Sequence, residues 1–195
     1  MFRFNSDANS MTTDPDRCAI LFMQHAFQYY ATARFAMHGQ LMPICGILFH
    51  HTVEMLLKGG LARKRSLAEL KDVGHTLKEL WRDFKVDFPD QNLERHDKTI
   101  SRLDEFDAIR YPDAILKHGM GTSAQWQPPA AEVITYGGMK TPKQYVMVVS
   151  DIDELVADVL KASSWNPGTF MRTNPFALEA ITRYNDHAEF LTTRF

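Results

Sequence analysis

The sequence predicts a mainly α-helical fold: an up-and-down bundle with one small β-hairpin inserted at about 130–150. Apolar residues recur at three- and four-residue steps through most of the chain, the period of a helix with a buried face. Most of these segments open on a helix-start signal: Asp14-Pro15, Pro43, Ser66 with Glu69, Thr76 with Glu79, Ser150 with Asp153, and Asn174-Pro175. One stretch breaks the pattern. After Gly119, Gly121, Pro128 and Pro129 the chain turns β-branched and aromatic.

Taken in order, residues 1–13 are polar and read as a flexible tail, leaving 14–195 as one domain. Asp14 caps a helix over 15–39, with Ile20, Met23, Phe27, Tyr30 and Arg34 along it and Gly39 closing it. Pro43 opens a second helix, 43–64, apolar on two faces and therefore central. Gly59 and Gly60 lie within it; each weakens a helix by about 1 kcal/mol relative to Ala, unless it permits close packing. Two capping boxes follow, one for a short helix at Ser66 and one for a helix at 77–87. A helix over 91–110 ends before Pro112, because the residue preceding proline avoids the α region. Residues 132–136 and 143–149, separated by Gly137-Gly138, read as the hairpin. Helices over 151–162 and 176–192 complete the chain.

Thirteen Phe, ten Met and three Trp supply the bulky material of a packed core, which a disordered chain would lack. The net charge of -2 shows no broad basic surface at whole-chain level, so any RNA contact has to be local. Cys18 and Cys45 sit in apolar helical patterns. They read as buried free thiols, which suits a reducing cytoplasm. There is no signal-peptide pattern, and no apolar run approaches the roughly 18 residues of a membrane span.

Several motifs carry a resemblance. His50-His51-Thr52-Val53-Glu54-Met55-Leu56-Leu57-Lys58 is similar to the Glu-x-x-x-Lys helix of the HEPN bundles (higher eukaryotes and prokaryotes nucleotide-binding). Gly74-His75-Thr76-Leu77-Lys78-Glu79-Leu80 resembles that family's Gly-His-x-Leu turn. Arg110-Tyr111-Pro112 resembles an element near one of its helix ends. The resemblance covers about residues 15–115 and a C-terminal helix, and leaves out the hairpin. It implies a four-to-five-helix bundle that often dimerises, with structural roles for Glu54, His75, Tyr111 and Pro112. Many members are ribonucleases or toxins; others have no known catalysis.

The family's ribonucleases carry an Arg followed by His after four to six intervening residues, a phosphate clamp beside a proton carrier. No pair here has that spacing. Arg34/His38 and Arg183/His187 have three intervening residues and Arg110/His118 has seven. Arg183 and His187 are the catalytic candidates, because i,i+4 positions share a helix face and Asn185-Asp186 adds polar groups. Lys58, Arg63, Lys64, Arg65 and Arg110 are candidates for phosphate or nucleotide binding, although cations also favour a helix C-terminus for the macrodipole alone. Glu54 and Lys58 form an i,i+4 pair. His50, His51 and Glu54 have ligand spacing, yet a helix-internal His beside Glu is more often a packed or hydrogen-bonded residue, and no metal is expected. The absence of a Gly-rich phosphate loop, a Cys-x-x-Cys pair or a nucleophile elbow leaves no cofactor expected. The leading expectation is a HEPN-like homodimer that binds a protein partner, itself, or RNA or nucleotide phosphate without strong catalysis. The alternatives are a metal-independent ribonuclease of toxin type and a small-ligand-binding bundle.

Overall fold

The computed structural model describes residues 14–89, 92–128, 143–169 and 175–193. Helix α1 runs Pro15–His38, and Asp14 caps it by accepting from the backbone N–H groups of Asp16 and Arg17 at 3.1 and 3.4 Å. Helix α2 runs Ile44–Leu61 and lies antiparallel against α1 in the most extensive contact of the fold. It also touches α4 (Leu77–Asp87), α5 (Asp97–Phe106) and α7 (Val149–Ala162), which is why it is apolar on more than one face. The close approach depends on glycine. A Cβ on Gly46 would lie 2.2 Å from the Phe106 ring, and one on Gly60 would lie 2.6 Å from Phe84. Gly59 and Gly60 thus exchange helix propensity for packing.

Ser66 and Glu69 form the expected capping box of α3 (Leu67–Asp72). Thr76 precedes α4, but its side chain makes no cap bond; Asp104 of α5 accepts from the Leu77 N–H at 2.8 Å instead. The segment expected as one helix over 91–110 contains a 3-10 turn at Glu94–His96, then α5, then a second 3-10 turn at Asp107–Ile109. Pro112 ends that run and also begins α6 (Pro112–His118): Tyr111 is extended, as a residue before proline prefers, and proline suits the first helical position.

The hairpin expectation is corrected where it can be seen. Strand β2, Gln144–Val148, is present, but it pairs in parallel with β1, Gly121–Gln125, from Gly121↔Gln144 to Gln125↔Val148. A parallel pair needs a long connection, which residues 126–143 provide. The other expected strand, 132–136, lies outside the described residues. β2 leans on α5, with the Tyr145 and Phe106 rings 5.8 Å apart.

Helix α7 starts at Val149, directly off β2, so Ser150 and Asp153 do not cap it; Asp153 is buried inside the bundle. The expected helix over 176–192 is two, α8 (Pro175–Thr182) and α9 (Ala188–Thr192). Asn185 holds the break. Its amide donates to the Tyr30 hydroxyl and the Ile181 carbonyl, both at 2.9 Å, while its Oδ1 accepts from the His187 N–H at 2.9 Å. One hydrophobic cluster runs from Ala19 to Leu191. Among the described residues no helix is long and apolar enough to cross a membrane.

Candidate functional site

A buried polar network joins α1, α7 and the end of α8. Arg34 is wholly buried. Its Nη1 donates to both oxygens of Asp153 at 2.6 and 2.5 Å, its Nε to the Ala180 carbonyl at 2.6 Å, and its Nη2 to the Arg183 carbonyl. Tyr30 donates to Asp153 Oδ1 at 2.6 Å, and burial together with the Asp153 carboxylate pushes the phenol well above its usual range. Arg34 is therefore spent on structure and cannot clamp a ligand phosphate.

Above this network lies an open patch. The His38 and Trp126 rings are 4.5 Å apart, Trp126 and Tyr184 5.5 Å, and His38 and Tyr184 6.2 Å. The Arg183 guanidinium lies 5.2 Å from the Tyr184 ring. Tyr184 and Arg183 are exposed, whereas Trp126 and His38 are half-buried. Tyr184 has φ 55, the left-handed region, which turns the chain immediately after α8. Burial, then the charges of Arg34 and Arg183, push His38 below the usual imidazole value; Glu179 and the Ala180 carbonyl oppose this in part. His38 Nε2 is buried and has no hydrogen-bond partner among the described residues.

The catalytic pair expected from sequence is not on one helix face. Arg183 follows the end of α8, and His187 is the residue that precedes α9. Arg183 lies instead within electrostatic range of His38, a histidine that sequence spacing paired with Arg34. The backbone between Thr182 and Ala188 carries no Gly or Pro to announce the break, so only the packing of α8 on α1 reveals this partner.

The expected basic cluster is internally paired. Arg63 bonds Asp16 at 2.9 Å and lies 4.0 Å from the Trp165 ring. Lys64 donates to the Asp87 carbonyl and lies 4.1 Å from the Phe88 ring. Arg65 bridges Asp83 and Asp87 at 2.5 and 3.0 Å. Arg110 pairs with Asp107 at 3.3 Å and lies 5.4 Å from the ring of Tyr111, which is exposed. The His118 side chain lies outside what is described. An open groove of about 300 Å³ beside α4 displays Lys78, Arg82 and Lys85, a stripe the sequence reading passed over. Each of these also faces an acid: Asp104, Asp83 and Asp97, at 3.7, 3.3 and 2.8 Å.

The motif residues Glu54, Lys58 and His75 do converge. Glu54 is fully buried. Its Oε1 accepts from Lys58 Nζ at 2.8 Å and lies 2.9 Å from His75 Nδ1; its Oε2 lies 3.2 Å from His51 Nδ1. Lys58 also donates to the Gly74 carbonyl at 2.7 Å, which ties α2 to the Gly-His turn. Burial alone would raise the Glu54 pKa, but hydrogen bonds from His51 and Lys58, the Lys58 charge and His75 lower it to about 2.

No family model matches the chain, and neither does any curated protein or solved structure at a significant level.

Proposed function

We propose that the chain is a HEPN-like bundle that works by binding, and that its ligand is a nucleotide or single-stranded RNA held at the His38–Trp126–Tyr184–Arg183 patch. The single observation that carries this reading is the exposed Tyr184 ring beside Trp126 with Arg183 against it. An aromatic face and a nearby guanidinium are what an unpaired base and its phosphate require. The patch is small, in keeping with a net charge of -2. Binding is favoured over cleavage because His38 Nε2 is sealed and cannot reach a ribose hydroxyl without rearrangement.

A fluorescently labelled single-stranded RNA oligonucleotide, with a nucleoside monophosphate as competitor, tests this. Anisotropy should report binding that Tyr184→Ala weakens at every salt concentration. Arg183→Ala should also weaken it and reduce its salt dependence, because one phosphate contact is lost. No binding at low salt, or binding indifferent to both changes, would refute the assignment. Cleavage of the oligonucleotide that is lost on His38→Ala or His187→Ala would replace it with the ribonuclease reading.

We also propose a homodimer, acting in the cytoplasm, through the outer face of α1 and its turn into α2. Ile20, Leu21, Phe35, Leu41 and Ile44 are all exposed there. Light scattering should give a particle near twice 22.4 kDa at micromolar concentration; a strictly monomeric particle would contradict it.

A further inference from the structure

We propose that His50, His51 and Glu54 form a binding site on α2 for a divalent transition-metal cation of the zinc class. One ring nitrogen of each histidine and one carboxylate oxygen lie within 4.8 Å of one another. Two imidazoles and a carboxylate, with a fourth position left to water, are a zinc-type donor set. Donors around a tetrahedral zinc stand roughly 3.3 Å apart for bonds of about 2.0–2.1 Å. Side-chain rotation of about an ångström would therefore close the set, with no change in the helix.

Spacing alone would not distinguish this cluster from packed histidines. His50 makes the difference. It is completely buried, and its Nδ1 lies 3.1 Å from the Leu103 carbonyl, an acceptor only. Nδ1 therefore carries the proton, and Nε2 is left with a lone pair. That Nε2 is sealed from water and has no hydrogen-bond partner among the described residues. Leaving a buried polar atom without a partner is costly, and a cation would satisfy it. An N–H···O=C bond on the non-ligating nitrogen is also the usual outer-shell support of a metal-bound histidine, fixing tautomer and ring orientation.

Glu54 is prepared in the same sense. Lys58 and His75 occupy Oε1, while among the described residues Oε2 meets only His51. That leaves Oε2 as the carboxylate oxygen available to a second cation. When the metal enters, His51 exchanges its hydrogen bond to Oε2 for coordination. Its ring proton moves to the nitrogen that stays uncoordinated, and no proton is released. His51 is also the route in, because its side chain is 20% exposed whereas those of its two partners are buried.

The test uses untagged protein titrated with Co²⁺, followed by competition with Zn²⁺. One equivalent of Co²⁺ should give the strong visible d–d absorption of a low-coordinate site, Zn²⁺ should remove it, and Zn²⁺ should raise the melting temperature. His51→Ala and Glu54→Gln should each weaken binding by at least about tenfold, while His187→Ala should not. If Glu54→Gln fails to fold, His51→Ala decides alone, since its side chain is partly exposed. Absence of the cobalt band in the unmodified chain would overturn the proposal. So would binding undiminished by His51→Ala, which would place the ion on surface histidines.

Discussion

Asp153 and Glu54 are both buried carboxylates facing a cation, and they differ in what surrounds the pair. Asp153 takes two bonds from Arg34 and one from Tyr30; the rest of the guanidinium is used by the Ala180 and Arg183 carbonyls. Every hydrogen-bonding group of that pair has a partner, and three distant segments are fixed by it. Around Glu54 the bonds are also made, but His50 Nε2 has none among the described residues. The first arrangement is complete as folded, as a structural clamp should be. The second has spare coordinating capacity, which is the physical mark of a site. The same contrast separates Arg34, enclosed, from Arg183, whose backbone serves the clamp while its guanidinium stays at the surface.

The largest effect is expected where the clamp is cut. Asp153→Ala leaves a wholly buried guanidinium without its counter-ion, and removing one partner of such a pair costs about 3–5 kcal/mol. Urea denaturation should show a loss of that size. A loss under about 1 kcal/mol would mean that Arg34 finds water, and the contrast with Glu54 would fail. Glu54→Gln should cost less, about 1–3 kcal/mol. Lys58 keeps its bond to Gly74, and a flexible ammonium reaches solvent more easily than a guanidinium locked by four acceptors. If Glu54→Gln were the more damaging of the two, the cluster would have to be read as the main staple of the fold.

Asp158 is more exposed than either, with 13% of its side chain accessible. Burial raises its pKa, but hydrogen bonds from Arg95 and His96 and their charges outweigh it and hold the group low. Glu154 and Lys161 are the other charges at hand, facing Arg95 and Asp158 respectively. A carboxylate whose folded pKa is depressed contributes stability that is full above its unfolded value of about 3.9 and is lost as pH falls through the folded value. Asp158→Asn should therefore lower the melting temperature near neutrality and flatten its decline on the acid side of about pH 4. An unchanged acid limb would show that Asp158 makes no linked contribution.

The helices were legible because their signals are local. Asp14, Ser66 and Glu69 do in space what their sequence context says, and α2 is central because it is apolar on more than one face. The misreadings share a cause: a tertiary partner replaced a local one. Asp104 took over the cap expected of Thr76, Arg34 drew Asp153 out of a capping role, and Asn185 broke a helix whose local sequence favours continuation. Parallel pairing of β1 with β2 is likewise non-local and has no turn signature. Of the site, Arg183 and the Glu54–Lys58–His75 motif could be found in sequence. The proximity of His38, Trp126 and Tyr184 could not, because three separate segments supply it.

The smallest stability effect is expected at Tyr184, and it separates folding from function. Tyr184 sits at φ 55, a conformation that a side chain with a Cβ adopts at a cost of roughly 1–2 kcal/mol and glycine adopts freely. The residue is 58% exposed, so little burial is forfeited when its ring is removed. Tyr184→Gly thus loses some contact with Trp126 and relieves the backbone, and glycine's greater freedom in the unfolded chain offsets part of that relief. The net change should fall within about 0.5 kcal/mol of zero, the range of ordinary surface substitutions. Binding should respond quite differently. Stacking of one base on an aromatic side chain is worth about 1–3 kcal/mol, so affinity for the oligonucleotide should fall roughly 5- to 150-fold. A strained, exposed aromatic whose removal costs the fold almost nothing is what a ligand platform looks like, in contrast to Arg34 and Asp153 beneath it. Should Tyr184→Gly destabilise the protein by several kcal/mol while leaving affinity intact, the ring belongs to the core it touches, and the patch loses its claim to a ligand.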